Sequence, residues 1–275
     1  MSNPETYYHA TAKGQTVSPP LDSDIRADVC VIGGGFTGLS TALNLAERGF
    51  EVVLLEAEQV GFGASGRCGG LIGSGQRKDV LETEEAFGYD TSKLLWDFAE
   101  AAKQEIRDRV AKHDIDCDLQ KGQLVGIHKK SYCGWAAEMS ETLAERYDYP
   151  NTHALDREAT AAMVATDSFL EGFFDADAAT IHPLNYALGL KRACIDAGVK
   201  VFENTRVDRY TRTDPSNVIS KNGTVSAGHI VLACNGYLGG LERRVAGKIM
   251  PINNFIIATE PLGDDRANKL ISGRY

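Results

Sequence analysis

Residues 28–56 read DVCVIGGGFTGLSTALNLAERGFEVVLLE, and they decide the fold. Val29, Cys30, Val31 and Ile32 have the apolar, β-branched character of a strand buried on both faces. Gly33, Gly35 and Gly38 follow as G-x-G-x-x-G. Behind them Leu39, Ala42, Leu43, Leu45 and Ala46 recur at helical spacing until Gly49 supplies a stop. A second apolar run, 52–55, ends on Glu56. Strand, glycine turn, helix, strand and acid in this order predict a dinucleotide site. Gly33 allows the tight turn, Gly35 lets a pyrophosphate approach the backbone, and Gly38 lets helix pack on sheet. The helix N-terminus offers unpaired N–H groups and partial positive charge to phosphates. Glu56 is placed to accept from the two ribose hydroxyls and would repel a 2′-phosphate, which disfavours NADP. The alternative is a glycine-rich turn with a purely structural role.

The stretch just beyond, 61–76, reads GFGASGRCGGLIGSGQ. So much glycine suits neither a helix nor a strand interior, and predicts backbone running close to something flat or charged. Ser65 and Arg67 add a hydroxyl and a guanidinium suited to pyrophosphate. The bland reading, a flexible linker, has no use for an embedded arginine.

With 275 residues the chain can hold one large or two small domains, and 43% hydrophobic with 24% charged residues is ordinary for a globular protein. A net charge of −9 argues against nucleic acid and anionic membrane as partners. The six cysteines show no C-x-x-C pair and no metal-ligand spacing, so buried thiols in a reducing compartment are expected. The opening residues lack a secretory signal and no run is long enough to span a bilayer; the expectation is cytoplasmic.

Taken in order, residues 1–27 predict a polar arm whose Tyr7 and Tyr8 could dock on a neighbouring surface. Residues 93–112 predict an amphipathic helix with Leu94, Phe98, Ala102, Ile106 and Val110 inward and Glu100, Lys103, Arg107 and Asp108 on the wet side. Residues 114–130 predict a hairpin turning near Lys121 and Gly122. Helices are expected around Trp135, Met139 and Leu143, and over 156–164 with Asp156 as N-cap. Residues 169–174 are strand-like. His182-Pro183 opens a helix closed by Gly198. Strands are expected over 199–202, 205–210, 224–225 and 229–233, the last followed by Asn235 and Gly236 at a strand's C-terminal end, where open parallel sheets place ligands. Residues 251–262, PINNFIIATEPL, also carry a strand pattern. The parallel pattern is interrupted and then resumes. The predicted architecture is therefore α/β: a discontinuous Rossmann-like dinucleotide domain over 28–112 and 180–245, with an inserted, incomplete α+β substrate domain over 113–179 and 246–275.

The fingerprint with Glu56, the block GFGASGRCGG (61–70), and the segments IDCD (115–118), IHPLN (181–185) and NGYLG (235–239) resemble the FAD-dependent amine and amino-acid oxidases of the D-amino acid oxidase, glycine oxidase and sarcosine oxidase type. The likeness runs over nearly the whole chain, and GASGR is its most specific part. It implies FAD as cofactor, with Gly33, Gly35 and Gly38 at the pyrophosphate and Glu56 at the adenosine ribose. Ala64, Ser65, Gly66 and Arg67 would line the pyrophosphate and ribityl, and Gly69, Gly70 and Leu71 would run beside the isoalloxazine. Val207 would meet the adenine through its backbone, and Ala233 and Gly236 would close over the nucleotide. The implied reaction oxidises a small amine or amino acid by hydride transfer to flavin N5, giving an imine that hydrolyses, with oxygen reoxidising the flavin to give peroxide. Two departures stand out. Cys68 replaces an asparagine common in such proteins, read here as a small packing substitute rather than a flavin-tuning thiol. The family also continues beyond residue 275, so a truncated or partial chain is expected.

No residue is assigned as catalytic acid or base. His182 before a proline is read as an N-terminal turn residue, and Asp175 with Asp177 as a solvated turn rather than half a metal site. The rival functions are an inactive FAD-binding fragment and an NAD-linked dehydrogenase, which has no need of the 61–76 loop.

Overall fold

The computed structural model describes residues 6–273; residues 1–5 of the expected arm and 274–275 lie outside them. Ten strands are assigned among the described residues: β1 (Ile25–Ile32), β2 (Val52–Leu55), β3 (Leu71–Ile72), β4 (Gln120–Ile127), β5 (Thr152–Leu155), β6 (Glu171–Thr180), β7 (Lys200–Phe202), β8 (Val207–Tyr210), β9 (Ser216–Ser220) and β10 (Thr224–Leu232). They form two sheets in two compact units. Among the described residues the first unit comprises 6–69, 109–117 and 182–256; the second comprises 70–108, 118–181 and 257–273.

In the first unit the order is β7-β2-β1-β10-β9-β8, with β7, β2, β1 and β10 parallel and β9 and β8 antiparallel beyond them. β2 and the second half of β1 are buried at every position, because the sheet is covered on both faces. Cys30, Ile32, Val53 and Leu55 point to one face, where they cluster with Leu21, Val218, Val225 and Ala227. The alternate residues Val31 and Leu54 are buried on the other. Burying each such Val or Leu fully contributes about 1.5–3 kcal/mol. The helices Phe36–Ala46 and Pro183–Asp196 pack on each other and on strands of this sheet. The residues expected as separate strands at 224–225 and 229–233 are one continuous strand, β10, and β9 comes from a segment the sequence pattern does not mark.

The second unit is an antiparallel sheet in which β6 pairs with β3, β4 and β5. Beside it Val80, Trp96, Met139, Leu143, Tyr147 and Tyr149 form one buried cluster. The helix Trp135–Arg146 and the helix Arg157–Met163 are as expected, and Asp156 accepts from Ala159 N as N-cap.

Four expectations are corrected. The hairpin at 114–130 is a single strand, β4, that runs straight through Gly122; the positive φ of +101° there serves a bulge between Lys121 and Gln123, not a turn. Its would-be first arm contains Asp114 and Asp118 at φ +48° and +52°, which are turn residues. The strand placed at 169–174 is β6, displaced to 171–180.

The helix Tyr89–Lys112 exists, but the expected inward stripe does not hold: Leu94 and Phe98 are 69% and 71% exposed and Lys103 is 3% exposed, with Trp96 at 5%, while Ile106 and Val110 are half-buried and Asp108 is exposed as expected. Residues four apart advance by about 40° more than a full turn, so a stripe at 94, 98, 102, 106 and 110 rotates about 160° and defines no single face.

Residues 251–262 carry no strand, since a strand needs a ladder partner and none pairs with them among the described residues; Phe255 and Ile257 are 84% and 92% exposed.

Candidate functional site

β1 ends at Ile32 and the chain turns at Gly33, with φ +114°. Gly33 N donates to Leu55 O at 2.8 Å, and a Cβ on Gly33 would lie 2.5 Å from Ala233 O at the end of β10. Gly38 is tighter still: its Cβ would meet Gly33 O at 1.9 Å, so only glycine lets the helix start this close to the turn. Gly35 is the N-cap of the helix Phe36–Ala46 and has no side chain to cap it. The cap comes from the loop instead, where Ser65 Oγ accepts from Phe36 N at 3.0 Å. The expected turn, helix and hydroxyl are thus brought together at one helix N-terminus.

Glu56 leaves β2 with its carboxylate turned back to the turn. Oε2 accepts from Gly34 N at 2.6 Å and Oε1 from Glu58 N at 2.9 Å. Burial pushes its pKa up against these two bonds, and nearby Glu203 adds to the rise. Each oxygen retains a lone pair, which leaves the carboxylate able to accept from a pair of hydroxyls.

The glycine block is an ordered loop. Gly61 N donates to Gly34 O at 3.1 Å, and a Cβ on Gly66 would fall 2.1 Å from Gly61 O. Ala64–Gly66 make a single 3-10 turn. The Arg67 guanidinium lies over the Phe62 ring at 4.6 Å, and its Nε and Nη2 are buried without a hydrogen-bond partner. A buried cationic donor left unfilled is costly, and here it faces no protein acceptor. Cys68 is exposed, with only a long contact from Sγ to Ser65 O.

Gly69 is exposed in the first unit. Gly70 and Leu71 belong to the second, where Gly70 O accepts from Ile181 N and Leu71 opens β3 with its side chain exposed. Val207 starts β8 at the sheet edge and packs against the cluster under β1. Ala233 N donates to Ile32 O at 2.8 Å, and Gly236 lies in the 3-10 turn Asn235–Tyr237. Tyr237 stands over Gly63, a contact that nothing in the sequence announces.

His182 is the N-cap of the helix Pro183–Asp196, as the sequence suggests: Nδ1 accepts from Asn185 N at 3.1 Å. Nε2 therefore carries the proton and donates to Thr11 Oγ1 at 2.9 Å, which donates in turn to Tyr7 O.

Asp175 and Asp177 are not a solvated turn. Asp175 is buried in β6 and accepts from Ser74 Oγ and Tyr149 Oη, while Asp177 pairs with Lys103 and Arg107. The strand context and those partners override the turn propensity of aspartate. No group of three metal-ligating side chains occurs among the described residues, and no helix there is long and apolar enough to cross a membrane.

The fit to a dinucleotide rests on three features: a helix N-terminus that starts at a glycine, a carboxylate with free lone pairs after the second strand, and an arginine with two buried unfilled donors in the loop whose Ser65 caps that helix.

The family model described as "DAO: FAD dependent oxidoreductase" matches residues 28–274. Gamma-glutamylputrescine oxidoreductase of Escherichia coli K12 is 37% identical over 271 residues, which are 98% of this chain and 63% of that one. A probable oxidoreductase, OrdL, of Rhizobium meliloti is 38% identical over 258 residues, 94% of this chain and 60% of its own. Among solved structures, glycine oxidase from Geobacillus kaustophilus superposes with a TM-score of 0.64 at 21% identity, covering 80% of this chain and 58% of that one. L-amino acid deaminase from Proteus myxofaciens does so with 0.63 at 25% identity, covering 83% and 49%. The chain thus spans 60 to 63% of the length of these two curated relatives.

Proposed function

Because the chain belongs to the FAD-dependent oxidoreductases of the DAO family, we propose that its first unit holds FAD and serves the oxidation of the C–N bond of an amine or amino acid to an imine. Gly33, Gly35 and Gly38 bring backbone N–H groups of the turn and helix to the diphosphate. Ser65 stands at the same helix end, and Arg67 turns its unfilled donors to the diphosphate or ribityl oxygens. Glu56 accepts from the adenosine ribose. Ala64, Gly66 and Gly69 carry the loop, Gly70 and Leu71 extend it towards the flavin ring, and Val207, Ala233 and Gly236 complete the nucleotide's surroundings. When bound, FAD supplies the hydride acceptor at N5, with oxygen as the electron acceptor that regenerates it and yields peroxide.

The chain's own residues bind and orient; no side chain is assigned to proton transfer. Gamma-glutamylputrescine, named for one relative, is the first substrate to try, and a reducing compartment suits the buried cysteines Cys30, Cys117 and Cys194, none of them in a disulfide.

The observation that carries this reading is the pair of buried, unfilled Arg67 nitrogens in a loop whose serine already caps the fingerprint helix. The test is spectroscopic. Purified protein should bind FAD with a flavin absorption band and release it on acid precipitation. An amine substrate added without oxygen should bleach that band, and with oxygen should yield peroxide. A chain that takes up no FAD refutes the binding reading. FAD held without amine-dependent bleaching leaves a binding module and refutes the oxidase.

A further inference from the structure

The N-terminal segment is not a free arm. From the cap His182 onward it tracks the helix Pro183–Asp196. Thr11 meets His182, Lys13 N donates to Asn185 Oδ1 at 2.9 Å, and Lys191 Nζ donates to Thr16 O. Further on, Leu21 N donates to Thr205 Oγ1 at 3.0 Å and Leu21 enters the core. Tyr8 stacks edge-on against His182 at 5.1 Å. His9 is near enough to the loop that its pKa, lowered first by burial, is lowered further by the Arg67 charge.

The deepest contact of this segment is ionic. Lys191 and Glu203 are each 1% exposed and 2.7 Å apart. Glu203 Oε2 also accepts from Ser18 N, and Oε1 accepts from Val60 N at 2.7 Å. Such a buried carboxylate is tolerated only when its oxygens are filled. Val60 immediately precedes Gly61, whose N–H is on Gly34 O and whose carbonyl lies against Gly66. One carboxylate therefore fixes both the segment at Ser18 and the root of the 61–67 loop.

We propose that Glu203 is a positioning residue joining two parts of the molecule, the strap formed by residues 8–21 and the glycine loop that starts at Val60, so that they order together and FAD binding at the loop tightens the strap. The inference rests on the reading of the 61–67 loop as an FAD site. Coupling is reciprocal: what the strap adds to FAD affinity, FAD returns to the strap by the same factor.

The experiment uses the whole chain, freed of flavin and titrated with FAD, with trypsin cleavage after Lys13 followed by mass spectrometry and amide exchange read at Val60. Saturating FAD should slow cleavage at Lys13 roughly 5- to 20-fold. Ser18→Pro removes the N–H given to Glu203 without altering a side chain in the site. It should raise the Kd for FAD by about the same factor, and speed Val60 exchange in the flavin-free protein. FAD that binds yet leaves Lys13 cleavage unchanged overturns the strap and spares the site, and this measurement needs no variant. Val60 exchange that is unaltered by Ser18→Pro overturns the shared anchor whether or not flavin binds. Absence of any FAD binding overturns the site reading and this inference with it.

Discussion

Lys103→Met tests whether a lysine that sequence periodicity assigns to solvent is a buried structural cation. In the structure its Nζ lies 2.7 Å from Glu100 Oε2 and 3.0 Å from Asp177 Oδ2, and donates to Ser74 Oγ and Tyr149 Oη at 2.9 Å each. Breaking a buried ion pair by removing one partner costs about 3–5 kcal/mol. Glu100 and Asp177 keep 22% and 30% of their side-chain exposure, and Asp177 keeps Arg107, so solvent screening brings the cost below that range, to about 2–4 kcal/mol. With a urea m-value of about 2 kcal/mol/M, the midpoint of the second unit's transition should fall by roughly 1–2 M, followed by circular dichroism.

Lys93→Met is the control on the same helix, since Lys93 pairs with the exposed Asp97; its effect should stay within about 0.5 kcal/mol. A pH series adds an independent check. Burial alone would raise the Asp177 pKa, but bonds from Lys103 and Arg107 more than reverse it, so its folded value lies below 3.8. Its contribution is present above 3.8 and lost as pH falls through the folded pKa, and in Lys103→Met that acid-side loss should shrink. A midpoint shift for Lys103→Met no larger than that of Lys93→Met would refute the reasoning.

Arg67→Met should raise the Kd for FAD tenfold or more, at about 1.5–3 kcal/mol for charged hydrogen bonds, while flavin-free stability stays level or rises because two unfilled buried donors are gone; calorimetry of both forms checks it. Gly38→Ala places a Cβ 1.9 Å from Gly33 O, so the helix must retreat; a cost of about 1–3 kcal/mol should appear as a lower Tm, together with weaker FAD retention. Glu47 is subject to burial, which would raise its pKa, but bonds from Arg109 and Lys112 bring it down to about 2. It therefore stabilises the fold above its ordinary value of 4.5 and loses that contribution as pH falls towards 2, a slope in the acid unfolding curve that Glu47→Gln should flatten.

Residues 28–56 were legible because enough of their requirements are local: Gly38 forced by the carbonyl of Gly33, an acid at a strand's end, a helix stop at Gly49 with φ +89°. Asp156 and His182 were legible for the same reason, as caps bonded three residues on. Gly122 and Lys103 were misread because their partners are distant in the chain. Gly122 looked like a turn because a bulge and a turn ask for the same positive φ, and only the pairing of β4 with β6 decides between them. Lys103 looked wet because charge predicts exposure until another segment brings Asp177 and Tyr149 to it. Lys191 and Glu203 drew no notice for the same reason, yet they join the segment at Ser18 to the loop at Val60 across 143 and 185 positions of sequence. Spacing reports what a residue does within its own helix or strand. A buried charge reports which distant segments meet, so in this chain the two buried lysines mark the long-range contacts that periodicity cannot encode.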